Sequence, residues 1–248
     1  MSTSQPTAQR RGGLANVVDI IIAPNAAFER IREVPVWGWA FLVALLLGIA
    51  GSLLFAPALI HAAETTLPAK LAAMPQIAKL PPDQQQSAIA LQMNISRVIF
   101  RFFGVFVIIQ ILLGGLVQAV AMLIANAAGR GNGSFQKFFA LSITVTVVGV
   151  GLAFLADGLI VAIRGANSFE SQISVTGAVP SLALIVPGSS GALLGFLVAL
   201  NIFNLWATGL LALGMQRIGR IPAGIAWSTA IVLQLLTACF AAWGTANG

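Results

Sequence analysis

The chain alternates between long apolar runs and shorter polar segments. An apolar run of about 20 residues is long enough to cross a hydrocarbon core of about 30 Å as one helix. We expect such helices over residues 37–60, 98–127, 138–163, 191–215 and 223–243. The pattern therefore predicts an all-α fold, a polytopic membrane protein built as a bundle of five transmembrane helices.

The run from residue 191 to residue 215 has the most informative pattern. It carries no charged residue, and it contains Asn201, Asn204 and Trp206, followed by Thr208. Arg217 and Arg220 come directly after it. Basic residues at the end of a span favour the cytoplasmic side, so this run predicts an orientation as well as a span.

The segment before the first run is amphipathic. Residues 1–12 are polar and predict a disordered cytoplasmic tail. Residues 13–36 place apolar side chains at helical spacing on two short stretches separated by Pro24. Both stretches are too short and too polar to span, so we expect interfacial helices on the inner leaflet. A helix pair docked on the protein's own cytoplasmic face is an equal and compatible alternative.

Close packing and surface contacts are also predicted. Ala44, Gly48 and Ser52 form a stripe of small residues in the first span, which permits close approach of helices. Indole rings favour the headgroup boundary. As candidate interface residues we select Pro24, Phe28, Ile31, Trp37 and Trp206.

Two segments between spans lie on the opposite side from the N-terminus. Residues 61–97 contain four prolines and predict a partly helical outer loop, which is a candidate docking surface. Residues 164–190 contain an apolar run at 182–186 that is too short to span. That run predicts a re-entrant segment or a surface strand pair covered by protein.

Composition supports a membrane location. The chain is 58% apolar and 8% charged, with a mean hydropathy of +0.94, whereas soluble domains carry about 25% charged residues. The net charge of +6 is dispersed in small groups next to the spans. We therefore expect anionic lipid headgroups as partners and not nucleic acid, which needs a basic face.

The basic residues also indicate a topology. With the N-terminus inside, eight of the 13 basic residues are cytoplasmic and five are not. This bias predicts a multi-pass membrane protein with a cytoplasmic N-terminus and an extracytoplasmic C-terminus.

The residues needed for catalysis are scarce. His61 is the sole histidine and Cys239 the sole cysteine, which argues against a metal site built from these ligands. His61 has no evident serine partner for nucleophilic hydrolysis. An intramembrane aspartyl protease needs two aspartates, and the spans contain Asp157 alone. We therefore expect no enzyme activity, no metal and no cofactor.

Five polar residues within the predicted spans are candidate functional residues: Gln110, Gln118, Asp157, Asn201 and Asn204. An intramembrane carboxylate is a functional hypothesis by default, although Arg164, Arg101 or water at the outer interface could satisfy Asp157. The amides could line a transport path, or they could hold helices together by hydrogen bonds.

Three stretches of the chain form a recognisable series. The first, DIIIAPNAAFERIREVPVWGWAF, contains Pro24, Phe28, Ile31, Pro35 and Trp37. The turn GNGSFQKFFALS and the span NIFNLWATGLLALGMQRI follow it. In residues and order, the three stretches resemble the bacterial branch of the Yip1-domain family of five-span membrane proteins. The resemblance covers about residues 15–245 and implies a Yip1-like transmembrane domain over 37–245 in the bacterial inner (cytoplasmic) membrane.

The resemblance implies a function without catalysis. Eukaryotic members act in vesicle trafficking and membrane shaping, and some bacterial members are associated with ABC-type exporters. We expect an accessory or scaffold subunit that contacts other integral membrane proteins or copies of itself. The alternatives are a small homo-oligomeric transporter or channel, and a membrane-shaping, lipid-organising protein.

Overall fold

The chain folds into helices. The computed structural model describes residues 5–247, with the side chains of residues 13–246. Over that range the extended pairing is limited to one isolated bridge between Ser181 and Asn201. The prediction of an all-α fold is therefore confirmed for the described residues.

Twelve α-helices follow one another within residues 5–247. Their bounds are α1 (Gln5–Ile22), α2 (Pro24–Glu33), α3 (Gly38–Ala73), α4 (Pro75–Ala78), α5 (Pro82–Arg101), α6 (Phe103–Ala128), α7 (Phe135–Thr146), α8 (Ala153–Arg164), α9 (Gln172–Thr176), α10 (Gly191–Ala199), α11 (Ile202–Ile218) and α12 (Ala223–Asn247). A π-helical segment, Val147–Leu152, joins α7 to α8. Two 3-10 turns, Ala166–Ser168 and Leu182–Leu184, lie between α8 and α10.

Four helical stretches in the described part of the chain are long and apolar enough to cross a membrane. They are Gly38–Ala73, Phe103–Ala128, Phe135–Arg164 and Ala223–Ala246. Each matches one predicted span, and the third combines α7, the π segment and α8. The architecture is that of a helical membrane protein with several crossings.

The remaining predicted span, 191–215, differs from the expectation of one continuous helix. It forms α10 and α11, which are separated at Leu200 and Asn201. With 17 residues, α11 is too short by itself to meet the length criterion of about 20 residues. The fifth crossing therefore stays a prediction, and it requires α10 and α11 to act together.

The predicted outer loop over residues 61–97 is a helical hairpin. Helix α3 continues past Pro57 and Pro68 to Ala73, and α5 packs back against it. The guanidinium of Arg97 bonds to the carboxylate of Glu64 across the two helices at 2.8–2.9 Å. We call residues 61–101 the hairpin, and we call the end of the bundle that carries it the hairpin side.

Helices α3 and α8 meet through glycines. A Cβ atom at Gly51 would overlap the carbonyl group of Phe154, and one at Gly158 would lie 2.5 Å from the carbonyl oxygen of Gly51. The predicted stripe of small residues lies beside this contact. Gly48 faces Val107 on α6, so α3 is held closely against both α8 and α6.

Each of the two N-terminal helices fits one of the alternatives that the sequence left open. Ala27, Phe28 and Ile31 on α2 are fully buried against the core and so dock on the protein itself. Helix α1 keeps an exposed apolar stripe at Leu14, Val18 and Ile22, as an interfacial helix would.

The N-terminal tail also differs from expectation. Helix α1 begins at Gln5, whereas residues 1–12 were expected to be disordered; residues 1–4 lie outside the described residues. The Arg30 side chain bonds to the carboxylate of Asp19 and to the side-chain oxygen of Asn16. These contacts tie α1 to α2.

Candidate functional site

The break between α10 and α11 is built from asparagine side chains. Asn201 is the N-cap of α11, and its side-chain oxygen accepts a hydrogen bond from the backbone N–H of Asn204 at 3.0 Å. Asparagine is among the preferred N-cap residues because its oxygen satisfies an N–H group that has no partner within the helix. The sequence Asn201-Ile-Phe-Asn204 therefore starts a new helix inside an apolar run.

The carbonyl oxygen of Ala199, which has no helical partner because of the break, also accepts hydrogen bonds. The side-chain amide of Asn204 donates to the carbonyl oxygen of Ala199 at 3.0 Å, and the amide of Gln234 on α12 donates to the same oxygen at 3.0 Å. The hydroxyl of Thr208 contacts the side-chain oxygen of Gln234 at 3.3 Å. Amides from two helices thus replace the helical hydrogen bonds lost at the break.

The segment between α8 and α10 supplies further backbone partners. The N–H of Leu182 donates to the carbonyl oxygen of Leu200, and the N–H of Ile202 donates to that of Pro180. Non-helical backbone is tolerated at membrane depth where protein covers it. The apolar run at 182–186, which we expected to be re-entrant or strand-paired, begins with one 3-10 turn directly after the single bridge residue, Ser181.

The break lies deep along α12. Gln234 is about 16 Å from Ala223, the first residue of α12, at about 1.5 Å per residue. Half of a hydrocarbon core of about 30 Å is about 15 Å. A helix that starts at one membrane face would therefore place Gln234 near the bilayer midplane.

A cavity of about 740 Å³ adjoins this break. It lies between α6 and α12, and its floor includes the π segment, α8, α10 and α11. Its polar lining consists of Gln110, Gln118, Thr146, Asp157, Thr176, Asn201, Asn204, Thr208, Gln234 and Thr237. The volume falls within the range of about 300–1,000 Å³ that is typical of small-molecule sites.

The structure brings the five candidate polar residues to this cavity: Gln110, Gln118, Asp157, Asn201 and Asn204. Their bonds differ. Asn201 and Asn204 serve the helix break, and the side-chain oxygen of Gln118 accepts from the hydroxyl of Ser142 at 2.7 Å. A functional role for any of the five stays a prediction.

Asp157 is bonded to the backbone. One carboxylate oxygen accepts from the N–H of Val179 at 2.8 Å, and the buried residue is part of the cavity lining. The ion pairs that the structure describes do not include Asp157. The Arg164 guanidinium, one of the expected partners, lies over the ring of Phe169 at 4.8 Å. The segment after α8 therefore covers Asp157 and supplies its hydrogen bond.

Three features of the site escaped sequence analysis. Gln234 was not selected, although it is a lone amide within the apolar run TAIVLQLL. The helix break could have been found from Asn201 and Asn204, whose spacing fits an N-cap and the third helical residue. The π segment Val147–Leu152 carries no comparable signal, and π segments are frequent at functional sites.

The candidate interface residues are dispersed. Phe28 and Ile31 are fully buried within the chain, which leaves them no surface for a partner. The Trp37 ring packs edge-on against Phe139 at 5.4 Å. Trp37 and Trp206 remain partly exposed, and Pro24 is intermediate.

Comparison with known proteins gives one relevant likeness. The chain is 29% identical over 219 residues to "Membrane protein YknW" of Bacillus subtilis (strain 168), which covers 86% of this chain and 83% of that protein. No family model matches the chain, and no solved structure matches it. The resemblance to the Yip1-domain family therefore stays a prediction.

The likeness and the apolar helices agree on the class of protein. The similar Bacillus subtilis protein is named as a membrane protein. Four helical stretches of this chain, within its described residues, are long and apolar enough to span a membrane. The chain is an integral membrane protein with several helical spans.

Proposed function

We propose that the chain is a non-enzymatic accessory or scaffold subunit of an inner-membrane assembly. The family resemblance suggests an ABC-type export complex as that assembly. The observation that carries the proposal is an apolar stripe on α5 within the hairpin. Leu91, Ile95 and Val98 recur at helical spacing on α5, and Phe102 continues this spacing directly after α5 ends at Arg101. All four side chains are exposed, Leu91 by 63%.

Helix α3 is too long to lie entirely within the hydrocarbon core. Helix α3 has 36 residues and is about 54 Å long at about 1.5 Å per residue, whereas the core is about 30 Å thick. Helix α5 packs along the part of α3 that is in excess. Large apolar side chains exposed outside the core are typical of protein–protein contacts.

We assign the stripe to the apolar face of a different membrane-protein subunit. Burial of one leucine or isoleucine side chain contributes about 1.5–3 kcal/mol. Replacing Leu91 and Ile95 together by asparagine should therefore lower the affinity at least about tenfold, since about 1.4 kcal/mol is a factor of ten.

The test is affinity purification of the tagged full-length chain in mild detergent, with mass spectrometry of the proteins recovered. We expect another membrane subunit in stoichiometric amount from the unaltered chain and much less from the double variant. Gln92→Ser is the matched control because Gln92 is exposed on the same helix, outside the stripe. Recovery of the same partner with the double variant would overturn this docking surface, and recovery of the chain alone as an oligomer would favour self-association.

The second candidate function is that of a small homo-oligomeric transporter or channel. It is favoured by the polar cavity beside a discontinuous helix, a combination that secondary transporters use to bind substrates. Ion flux into vesicles containing the protein tests it, with Asp157→Asn as the variant and the exposed Asp83→Asn as the control. Equal flux in the two variants would remove Asp157 from any transport mechanism.

A further inference from the structure

Gln110 and Asp157 face the same half of the cavity. Gln110 lies about 10 Å from Phe103, the hairpin-side end of α6, and Asp157 lies about 10 Å from Arg164, the end of α8, at about 1.5 Å per residue. Both residues line the cavity. An amide and a carboxylate from two different helices thus line the cavity at a similar depth.

The amide of Gln110 has unused hydrogen-bonding capacity. Its side chain is exposed in the middle of an apolar helix and makes no hydrogen bond with another described residue. Each unsatisfied polar group in hydrocarbon costs several kcal/mol. Gln110 is therefore suited to bind a polar group that enters from the membrane.

The described cavity lining contains one acidic residue and no basic residue. The acidic residue is Asp157. The ion pairs that the structure describes, Arg30–Asp19 and Arg97–Glu64, lie elsewhere. Phe154 lines the cavity three residues before Asp157, hence on the same face of α8. A carboxylate and an aromatic ring together favour a cation over an anion.

The mouth of the cavity is apolar and faces sideways. Leu113 on α6 and Leu236 and Phe240 on α12 line it and are exposed. Helices α6 and α12 are also the least buried of the four candidate spans. A ligand would therefore reach the cavity from the hydrocarbon phase.

We propose that this cavity binds a hydrophobic amine. The protonated amine lies between the carboxylate of Asp157 and the side-chain oxygen of Gln110, and the apolar chain of the ligand extends to Leu113, Leu236 and Phe240. An anionic lipid headgroup is excluded because the described lining offers it a carboxylate and no cation. The site does not depend on the accessory role, since either candidate function can accommodate it.

The test uses three photoreactive probes with the same twelve-carbon chain: an amine, an alcohol and a carboxylate. Each carries a diazirine and is added to the full-length protein in lipid nanodiscs. Mass spectrometry then locates the labelled residues. We expect the amine to label α6 and α12 at the cavity about tenfold more than either of the other probes does.

Two variants test the carboxylate of Asp157 and the volume of the cavity separately. Asp157→Asn keeps an oxygen that can accept from Val179 and should lower labelling by the amine about tenfold, without changing labelling by the alcohol. Gly114→Leu fills the cavity and should lower labelling by all three probes, because a side chain at Gly114 meets no atom within 4 Å. Gly244→Leu is equally unobstructed, lies outside the lining and should change nothing.

The outcomes are distinct. Equal labelling by the three probes, or amine labelling that Asp157→Asn leaves unchanged, would overturn the amine assignment. Labelling at the cavity no greater than at the lipid-exposed Leu46 and Leu53 on α3 would overturn the site itself. If Asp157→Asn fails to fold, Gln110→Leu takes its place, and a loss of amine selectivity is again expected. Failure of the subunit proposal would leave these results unaffected.

Discussion

The side-chain amide of Gln234 on α12 donates to the carbonyl oxygen of Ala199 at the end of α10, at 3.0 Å. Ala199 has lost its helical partner because the chain leaves the helix at Leu200. A residue on one helix thus completes the hydrogen bonding of another helix that is broken. Helix α12 therefore stabilises the break together with the amide of Asn204, which donates to the same oxygen.

We predict that Gln234→Leu destabilises the protein by about 1–2 kcal/mol. The substitution removes the bond to Ala199 and the contact with Thr208, and hydrogen bonds between membrane helices contribute about 0.6–2 kcal/mol. Thermal unfolding in detergent measures the loss. Thr237→Val is the control, because the Thr237 hydroxyl bonds within α12 to Leu233. A stability equal to that of the control would show that Ala199 needs no partner from α12.

The contact between α3 and α8 supports a second prediction. Gly158→Ala should destabilise the protein by several kcal/mol, because its Cβ would lie 2.5 Å from the carbonyl oxygen of Gly51 and force the two helices apart. Gly114→Ala has open space around the added methyl. It should be neutral or stabilising by up to about 1 kcal/mol, the helix propensity difference between alanine and glycine. Chemical unfolding of both variants compares them, and equal losses would contradict the close approach of the helices.

The spans could be predicted where hydropathy alone decides the structure. Helix α12 follows the predicted span because its residues remain largely apolar from Ala223 onward. Hydropathy does not register a helix break inside an apolar run. Residues 191–215 carry no charged residue, and the break depends on hydrogen bonds that Asn201 and Asn204 form locally and that Gln234 supplies from another helix.

The candidate site was predictable in its residues but not in its bonds. Polar side chains in a span are rare, so Asp157 and Gln110 were conspicuous in the sequence. The partner of Asp157 was not predictable, because Val179 lies in an irregular segment whose path no periodicity describes. The sequence offered an arginine or water at the outer interface as the partner of Asp157, whereas the folded segment after α8 supplies a backbone N–H.

The cap of α11 carries a third prediction. Asn201→Ala should destabilise the protein by about 1 kcal/mol, since loss of an N-cap side chain typically costs 0.5–2 kcal/mol. Asn201→Ser keeps an oxygen that can accept from the N–H of Asn204 and should retain most of the stability. Thermal unfolding of the pair distinguishes a capping role from a packing role. Equal destabilisation by alanine and serine would contradict capping.

The last prediction concerns the two N-terminal helices, since α2 is docked on the protein and α1 keeps an exposed apolar stripe. Phe28 on α2 is fully buried, and Phe28→Ala should cost about 3–5 kcal/mol in the free energy of unfolding. Ile22 on α1 is 72% exposed, so Ile22→Ala should change that free energy by no more than about 0.5 kcal/mol. Unfolding of the two variants in the same detergent measures the difference. Similar small losses would mean that α2 is not docked on the bundle and that both helices lie against lipid.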